Sequence, residues 1–340
     1  MVFLDTIFIH TSPKPHHRQI RTTAQHGVVP QQQQQQPTVH SIFEPQTCTW
    51  QYIVADPSTK SALIIDSVLD FDPAKNQITT TTADALLALV KEKGYTVERI
   101  LETHAHADHL TAAKYLQRQL QLSQGDEAKP QVCIGKRISE VQARFAARYG
   151  VPSEECEGAF DHVFEDDEVF KLGELEVKAL HLPGHTPDHM GYLIGENVFC
   201  GDSIFNHDVG SARCDFPGGN ADELYNSASK LFSLPDSHKI WTGHDYPPGT
   251  PTSGGRQDPV PYTTVGDQKQ ANKHLKSGTT REQFVEWRRA RDAVLGEPRL
   301  LHQALQFNIR AGKLPGASTQ ERGGDRLLHL PVKVVGVEGW

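Results

Sequence analysis

The most informative segment of this chain is Thr103-His-Ala-His-Ala-Asp-His-Leu110. It lies between an apolar strand-like run and a helix-like run. Alternate residues of an extended segment point the same way, so His104 and His106 can face one point, while Asp108 and His109 in the following turn face a second. Imidazole and carboxylate together suit zinc, iron or manganese better than calcium or magnesium. The segment therefore predicts a metal site at a strand–helix junction.

Three later segments repeat one arrangement, in which a strand is followed by a glycine and then by a metal-competent side chain. They offer His185 in Leu182-Pro-Gly-His-Thr-Pro187, Asp202 in Phe199-Cys-Gly-Asp-Ser203, and His244 in Trp241-Thr-Gly-His-Asp-Tyr246. Glycine allows the backbone to approach closely, and loops at strand ends can aim side chains into a shared cleft. We expect all three to join the same site.

Composition excludes several classes of function. The chain has 340 residues and a formal net charge of −8, which argues against nucleic acid or an anionic membrane as a partner. No apolar run approaches the roughly 20 residues that span a bilayer. The five cysteines form no CxxC pair, so we expect a reducing, cytoplasmic setting. A mitochondrial location is the alternative, because the N-terminal segment is weakly basic and poor in acidic residues.

The organisation along the chain predicts three parts. Residues 1–40, with a glutamine run at 31–36, read as a disordered Gln-rich extension, residues 41–250 as a catalytic domain, and residues 251–340 as a helical C-terminal extension packed on that domain. Within 41–250, strands alternate with helices, which indicates an α/β body of two packed sheets covered outside by helices.

Some local expectations are specific enough to be tested. We expect a helix over 109–120, a last strand over 239–241, and a capping box Thr279-x-x-Glu282 that opens a helix to about residue 295. The basic run Arg288-Arg289-Ala-Arg291 is expected on a solvated helix face. Asp188 and His189 are expected either to support the metal ligands or to lie on a loop surface.

With these motifs in view, the chain resembles the metallo-β-lactamase superfamily, in its persulfide dioxygenase (sulfur dioxygenase) branch, a neighbour of glyoxalase II. The stretches Phe43–Thr49, Thr103–His109, Pro183–Pro187 and Gly210–Phe216 carry the resemblance, and His244-Asp-Tyr246 adds to it. The resemblance implies an αββα sandwich of two mixed sheets, with the metal at the open edge between them. Members of the branch tend to form dimers, so it also implies a homodimer.

The resemblance implies two alternative activities. In the branch, one Fe(II) is held by the positions matching His104, His185 and Asp202, and a glutathione persulfide-type substrate is oxidised with O₂ to sulfite. The full set of seven ligands, however, also suits two Zn(II) in a hydrolase that opens a lactam, lactone or thioester. That set is His104, His106, Asp108, His109, His185, Asp202 and His244.

Three residues are expected to act directly on the substrate. Asp108 would orient a nucleophile or move protons. Arg213 would clamp an anionic group, with a structural pair to Asp215 as the alternative. Tyr246 would donate a hydrogen bond, with simple packing as the alternative.

Overall fold

Two six-stranded sheets form the centre of the computed structural model, which describes residues 35–247, 249, 255–315 and 327–331. The first sheet has the order β1 (Thr38–Glu44), β2 (Thr49–Ala55), β3 (Ser61–Ile65), β6 (Thr96–Leu101), β8 (Gln131–Gly135) and β9 (His162–Phe164). The second has the order β10 (Val169–Leu172), β11 (Leu175–His181), β12 (Met190–Ile194), β13 (Asn197–Phe199), β14 (Lys239–Trp241) and β15 (Tyr262–Thr264).

Both sheets are mixed. From β3 to β9 the strands of the first sheet pair in parallel, and β1, β2 and β3 pair antiparallel. In the second sheet, β13 and β14 pair in parallel and the other neighbours are antiparallel. A small third sheet has the order β5 (Gln77–Thr79), β4 (Val68–Asp72) and β7 (Leu110–Thr111).

Helices cover the outer faces of both large sheets. They are α1 (Thr81–Lys93), α2 (Ala113–Gln124), α3 (Ile138–Tyr149), α4 (Ala221–Phe232), α5 (Val265–Ala271), α6 (Arg281–Asp292) and α7 (Leu301–Asn308). Since neighbouring strand residues face opposite sides, Tyr52 and Val54 point into the core between the sheets, where they meet Tyr192 and Phe199 of the second sheet. Ile53 and Ala55 face the helical layer. The predicted αββα sandwich of two mixed sheets is confirmed.

The expected helix over 109–120 begins four residues late. Leu110 and Thr111 pair with Leu69 and Val68 in the third sheet, so α2 starts only at Ala113. This pairing takes the C-terminal end of the His-rich segment out of the helix. It leaves His109 in an irregular turn, where its side chain can reach the site.

The capping box lies one residue later than expected. Thr280 Oγ1 accepts from the Gln283 N–H, and the Gln283 side chain accepts from the Thr280 N–H, so α6 runs from Arg281 to Asp292 rather than to residue 295. Both candidate boxes satisfy the sequence rule, and the burial of Phe284 and Val285 selects the register.

The first strand begins before residue 41, at Thr38, and a strand also follows the one expected to be the last, at 239–241. Of the expected extension 1–40, residues 1–34 lie outside the described residues, but Val39 of β1 already packs against the core between the sheets. The strand β15 was not expected in the helical C-terminal part, and it pairs with β14 through Tyr262 and Trp241. The division of the chain at residue 250 stays a prediction. In the described part of the chain, no helix is both long and apolar enough to cross a membrane.

Candidate metal centre

Four loops bring the predicted ligands to one place, and each loop follows a strand. The His-rich segment follows β6, His185 follows β11, Asp202 follows β13, and His244 follows β14. Gly201 stands before Asp202 with φ +48° and lies against Thr103, the residue before His104, so a side chain there would collide with the first ligand loop. The expectation that ligands cluster at strand ends is therefore confirmed.

A first cluster contains His104, His185 and Asp202. Each offers one ligating atom, and these atoms lie within 4.8 Å of one another. His185 Nε2 is 3.8 Å from Asp202 Oδ2. His104 Nε2 and Asp202 Oδ1 are buried without a hydrogen-bond partner among the described residues. Buried polar atoms are nearly always paired, so these two fit a cation that they would ligate.

A second cluster contains His106, Asp108 and His109, again with ligating atoms within 4.8 Å. His244 Nε2 lies 3.2 Å from Asp108 Oδ2 and 3.6 Å from Asp202 Oδ2, so it joins the two clusters. His106 Nδ1 and His109 Nε2 are buried without a hydrogen-bond partner within the described ranges. All seven predicted ligands are thus brought together.

Hydrogen bonds fix the tautomers of the histidines. His104 Nδ1 donates to Thr103 Oγ1 (3.0 Å), His185 Nδ1 to the Arg213 carbonyl (2.7 Å), and His244 Nδ1 to the Cys48 carbonyl (3.2 Å). A neutral imidazole carries one proton, so in each case the Nε2 lone pair is left free for a metal.

Burial favours the neutral form of two of the predicted histidine ligands, His104 and His109. It lowers the pKa of His104 well below its ordinary value, and burial together with the neighbouring His106 lowers the pKa of His109 to about 3. Burial by itself would raise the pKa of Asp108, but the nearby His244 and His109 outweigh it and bring the pKa to about 2. Neutral imidazoles and ionised carboxylates are the forms that bind metal.

Two buried carboxylates that the sequence analysis missed hold the ring of His106. Its Nε2 donates to Asp66 Oδ1 at 3.2 Å and lies 3.2 Å from Glu102 Oε2, which directs Nδ1 to the site. Carboxylates in this position orient metal-binding histidines. Both follow apolar strands, Asp66 after β3 and Glu102 after β6, so the strand-end rule could have found them.

Asp188 and His189 are buried supports rather than loop-surface residues. Asp188 Oδ2 accepts from the Ala105 N–H at 2.9 Å, and His189 Nε2 accepts from the Asp202 N–H at 2.9 Å. The His189 ring also stacks on His104, with ring centroids 4.8 Å apart. These contacts tie three ligand loops to one another.

A cavity of about 880 Å³ opens onto the centre at Asp108, His185 and Asp202. Arg213 lines it, but its guanidinium is paired with both oxygens of Asp215 and donates to the Gly296 carbonyl, as the structural alternative expected. Tyr246 also lines the cavity.

The Tyr246 side chain is 45% exposed. Its ring lies nearly parallel to that of His244, at an interplanar angle of 12° and a centroid distance of 5.8 Å. Its ring therefore packs on the predicted ligand His244, and the residue is also part of the cavity wall.

The C-terminal part supplies much of the cavity wall, which the sequence analysis did not predict. Its contributions include Lys273, His274, Trp287, Arg288, Arg291 and Arg299. The wall carries five Lys/Arg side chains against the two carboxylates of Asp108 and Asp202, so it attracts anions.

The expected solvated face of the basic run is wrong for one of its three arginines, because Arg288 is buried and paired with Asp292. Arg289 and Arg291 are exposed, as expected. Arg289 pairs with Asp222 at the surface, and Arg291 borders the cavity. Helical spacing separates these residues by about 100° each, so neighbours in sequence meet different surroundings.

Comparison with known proteins places this geometry among related chains. A family model described as the metallo-β-lactamase superfamily matches residues 49–244. A β-lactamase hydrolase-like protein of Xylella fastidiosa is 41% identical over 90% of this chain and 67% of its own length. The bovine mitochondrial persulfide dioxygenase ETHE1 is 28% identical over 81% of this chain and 88% of its own. The solved structure of ETHE1 from Myxococcus xanthus matches with a TM-score of 0.62 and 26% identity, over 81% of this chain and all of that one.

Proposed function

The chain belongs to the metallo-β-lactamase superfamily as a metal-dependent enzyme, and we propose that it is an iron-dependent persulfide dioxygenase acting on an anionic thiol persulfide. The observation that carries the proposal is the cluster of His104, His185 and Asp202, which opens into a cavity with a cationic wall. Two histidines and one carboxylate are the donor set of mononuclear Fe(II) oxygenases.

The proposed reaction is R–S–SH + O₂ + H₂O → R–SH + SO₃²⁻ + 2 H⁺, in which the outer sulfur is oxidised and dioxygen is reduced. When bound, Fe(II) would supply open coordination positions where dioxygen and the persulfide sulfur meet. The chain must do the rest: bind the carrier R, point its sulfur at the centre, and accept protons. In this proposal Asp108 accepts a proton, a role that its position on the cavity wall beside His244 supports.

The carrier is assigned to the cationic wall. Lys273, Arg291 and Arg299 have no ion-pair partner among the described residues, whereas the charge of Arg213 is already balanced by Asp215. Carboxylates of a glutathione-type thiol would supply the missing counter-charges. In this proposal Arg213, whose charge is balanced by Asp215, is a rigid part of the cavity wall, and Tyr246, which also lines the cavity, donates its hydroxyl hydrogen to the substrate.

A dinuclear zinc hydrolase is the second candidate. The cluster of His106, Asp108 and His109, with His244 beside it, is the observation that favours it, since a second cation would be needed to use these donors. The Xylella relative carries a hydrolase-like name at 41% identity, whereas the bovine dioxygenase is 28% identical. On this alternative, the same cavity would bind a thioester, lactone or lactam.

Metal content paired with substrate turnover tests the proposal. Protein loaded anaerobically with Fe(II) should bind one iron per chain and consume oxygen with glutathione persulfide. Zinc-loaded protein should leave a glutathione thioester intact under nitrogen. Two zinc ions per chain with thioester turnover and no oxygen uptake by the iron form would replace the proposal with the hydrolase.

Two matched variants separate the clusters. His104→Asn should abolish iron binding and oxygen uptake. His109→Asn should leave one iron per chain and at least half of the oxygen uptake, because His109 belongs only to the second cluster. If His109→Asn removes the metal as completely as His104→Asn does, a single-iron centre on the first cluster is wrong.

The proposal includes an oligomeric state and a cellular location. We expect a cytoplasmic homodimer, with a mitochondrial location as the alternative, which the name of the bovine relative supports. Sedimentation equilibrium measures the first property, and cell fractionation measures the second.

A further inference from the structure

We propose that Asn308 is a positioning residue of the metal centre, which sets the loop carrying the second cluster through a single side-chain amide. The inference rests on the proposed metal centre but not on the choice of iron or zinc. Asn308 is the last residue of α7 and is 2% exposed. Its Nδ2 donates to the carbonyls of His106 and His109, both at 2.8 Å, and its Oδ1 accepts from the Thr111 N–H at 2.9 Å.

These three bonds depend on the side-chain amide of the asparagine, which donates two hydrogen bonds and accepts one. The irregular turn leaves two carbonyls in the interior, and buried carbonyls need donors. One asparagine amide supplies two donors and an acceptor. Aspartate would present only acceptors to the two carbonyls. The amide therefore fixes the spacing of the His106 and His109 backbones, and through it the placement of their rings.

The same network reaches the His106 ring from its other side. Thr111, whose N–H binds Asn308, donates its hydroxyl hydrogen to Glu102 Oε1, and Glu102 Oε2 lies 3.2 Å from His106 Nε2. The backbone and the imidazole of His106 thus belong to one closed ring of polar contacts, made of three hydrogen bonds and the close contact between His106 and Glu102. Networks of this kind bind more strongly together than their separate bonds suggest.

The helix that presents Asn308 is itself well anchored. Ala304 and Phe307 of α7 pack in the core outside the first sheet, and Leu305 packs against α3. A helix seated on both sides cannot follow small movements of the turn. Asn308 therefore transmits the rigid position of α7 to the ligands without touching a metal.

The experiment compares Asn308→Ala with a matched control on the same helix. Gln306 is also 2% exposed, and its amide also makes three hydrogen bonds: to the carbonyls of His302 and His329, and from the His329 N–H. Gln306→Ala thus removes an equally buried amide whose bonds do not reach the ligand loop. The probe is Co(II) alone, competed against a chromophoric chelator.

We expect Asn308→Ala to weaken Co(II) binding by about 10- to 100-fold, as loss of residues that orient ligands typically does, and to change the visible absorption of bound Co(II). Gln306→Ala should lower the free energy of unfolding of the metal-free protein about as much as Asn308→Ala does. Its Co(II) affinity should nevertheless stay within twofold of that of the parent chain. The isosteric Asn308→Asp should reproduce the loss of affinity without creating a cavity, and it carries the test if Asn308→Ala does not fold.

Two results distinguish a failure of the proposed metal centre from a failure of the role of Asn308. Parent protein that binds no Co(II) would overturn the proposed metal centre itself. Parent protein that binds Co(II), with Asn308→Ala and Gln306→Ala equal in affinity and spectrum, would overturn only the role of Asn308, because the amide would then stabilise α7 and nothing more.

Discussion

Replacing Asp292 by asparagine removes the charge that holds the Arg213 loop to α6. One oxygen of Asp292 accepts from Arg288, and the other accepts from the Cys214 N–H at 2.9 Å. Arg288 also donates to the Ala212 carbonyl at 3.1 Å, so the pair brackets Arg213 on both sides. Both side chains are less than 10% exposed, so water cannot replace the lost partner.

The expected cost follows from that burial. Removing one member of a buried ion pair leaves an uncompensated charge and destabilises a protein by about 3–5 kcal/mol. With about 1.4 kcal/mol for each factor of ten, the folding equilibrium constant falls at least about a hundredfold. Replacing both residues by apolar ones, as in Arg288→Met with Asp292→Leu, should cost less than the single change, since no unpaired charge stays behind.

Urea denaturation followed by circular dichroism measures these free energies of unfolding. The control is the surface pair of Arg289, on the same helix α6, with Asp222 of α4. Arg289→Ala should cost less than about 1 kcal/mol, as exposed pairs do. A cost below about 1 kcal/mol for Asp292→Asn, or a double variant that costs as much as the two single changes added together, would refute the reasoning.

Three other changes test the cavity. Arg291→Glu should raise KM for an anionic persulfide about tenfold, because it reverses a charge at the cavity wall. Arg118→Glu on α2, which lies outside the cavity lining, should leave KM unchanged. Equal changes in KM for the two variants would contradict the proposed role of the cationic wall. Burial and then nearby Lys273 lower the pKa of His274 to about 4, and its Nδ1 accepts from a backbone N–H. The unfolded chain therefore binds this proton at higher pH than the folded chain, so stability present above about pH 6.5 is lost as the pH falls toward 4. His274→Asn should show a shallower fall in the free energy of unfolding, and an equal fall would exclude this assignment. Tyr246→Phe should raise KM about 2- to 10-fold, because the substrate loses one hydrogen bond. An unchanged KM would show that Tyr246 only packs on the His244 imidazole and does not bind the substrate.

The metal ligands could be predicted because their signals are local. Each ligand follows a short apolar run, and a glycine precedes His185, Asp202 and His244, so a strand-end rule applied to the sequence finds them one by one. The fold followed from the same alternation of strands and helices. The third sheet escaped prediction because Leu110 and Thr111 pair with residues 41 and 43 positions earlier in the chain, and no local pattern indicates that pairing.

The residues around the ligands were harder to predict because their partners are distant in sequence. Asp66 meets His106 across 40 positions, and Asn308 meets the same residue across 202. In the basic run, the three arginines share one composition signal but have three different surroundings. The charge pattern correctly predicts that Arg289 and Arg291 are exposed, and only tertiary packing reveals that Arg288 is buried.

The two halves of the site therefore contribute different properties. Every proposed metal ligand lies before residue 245, within the family match, whereas Lys273, Trp287, Arg291 and Arg299 of the cavity wall lie after it. Substitutions in the later part can alter the size and charge of the cavity without disturbing a ligand. Relatives with the same ligands can thus differ in substrate, which is why the choice between persulfide and thioester depends on the wall as well as on the metal. Asn308 is the exception to this division, because it lies in the later part and yet bonds to the ligand loop. A change at Asn308 should therefore alter metal binding, whereas a change at Arg291 should alter KM alone.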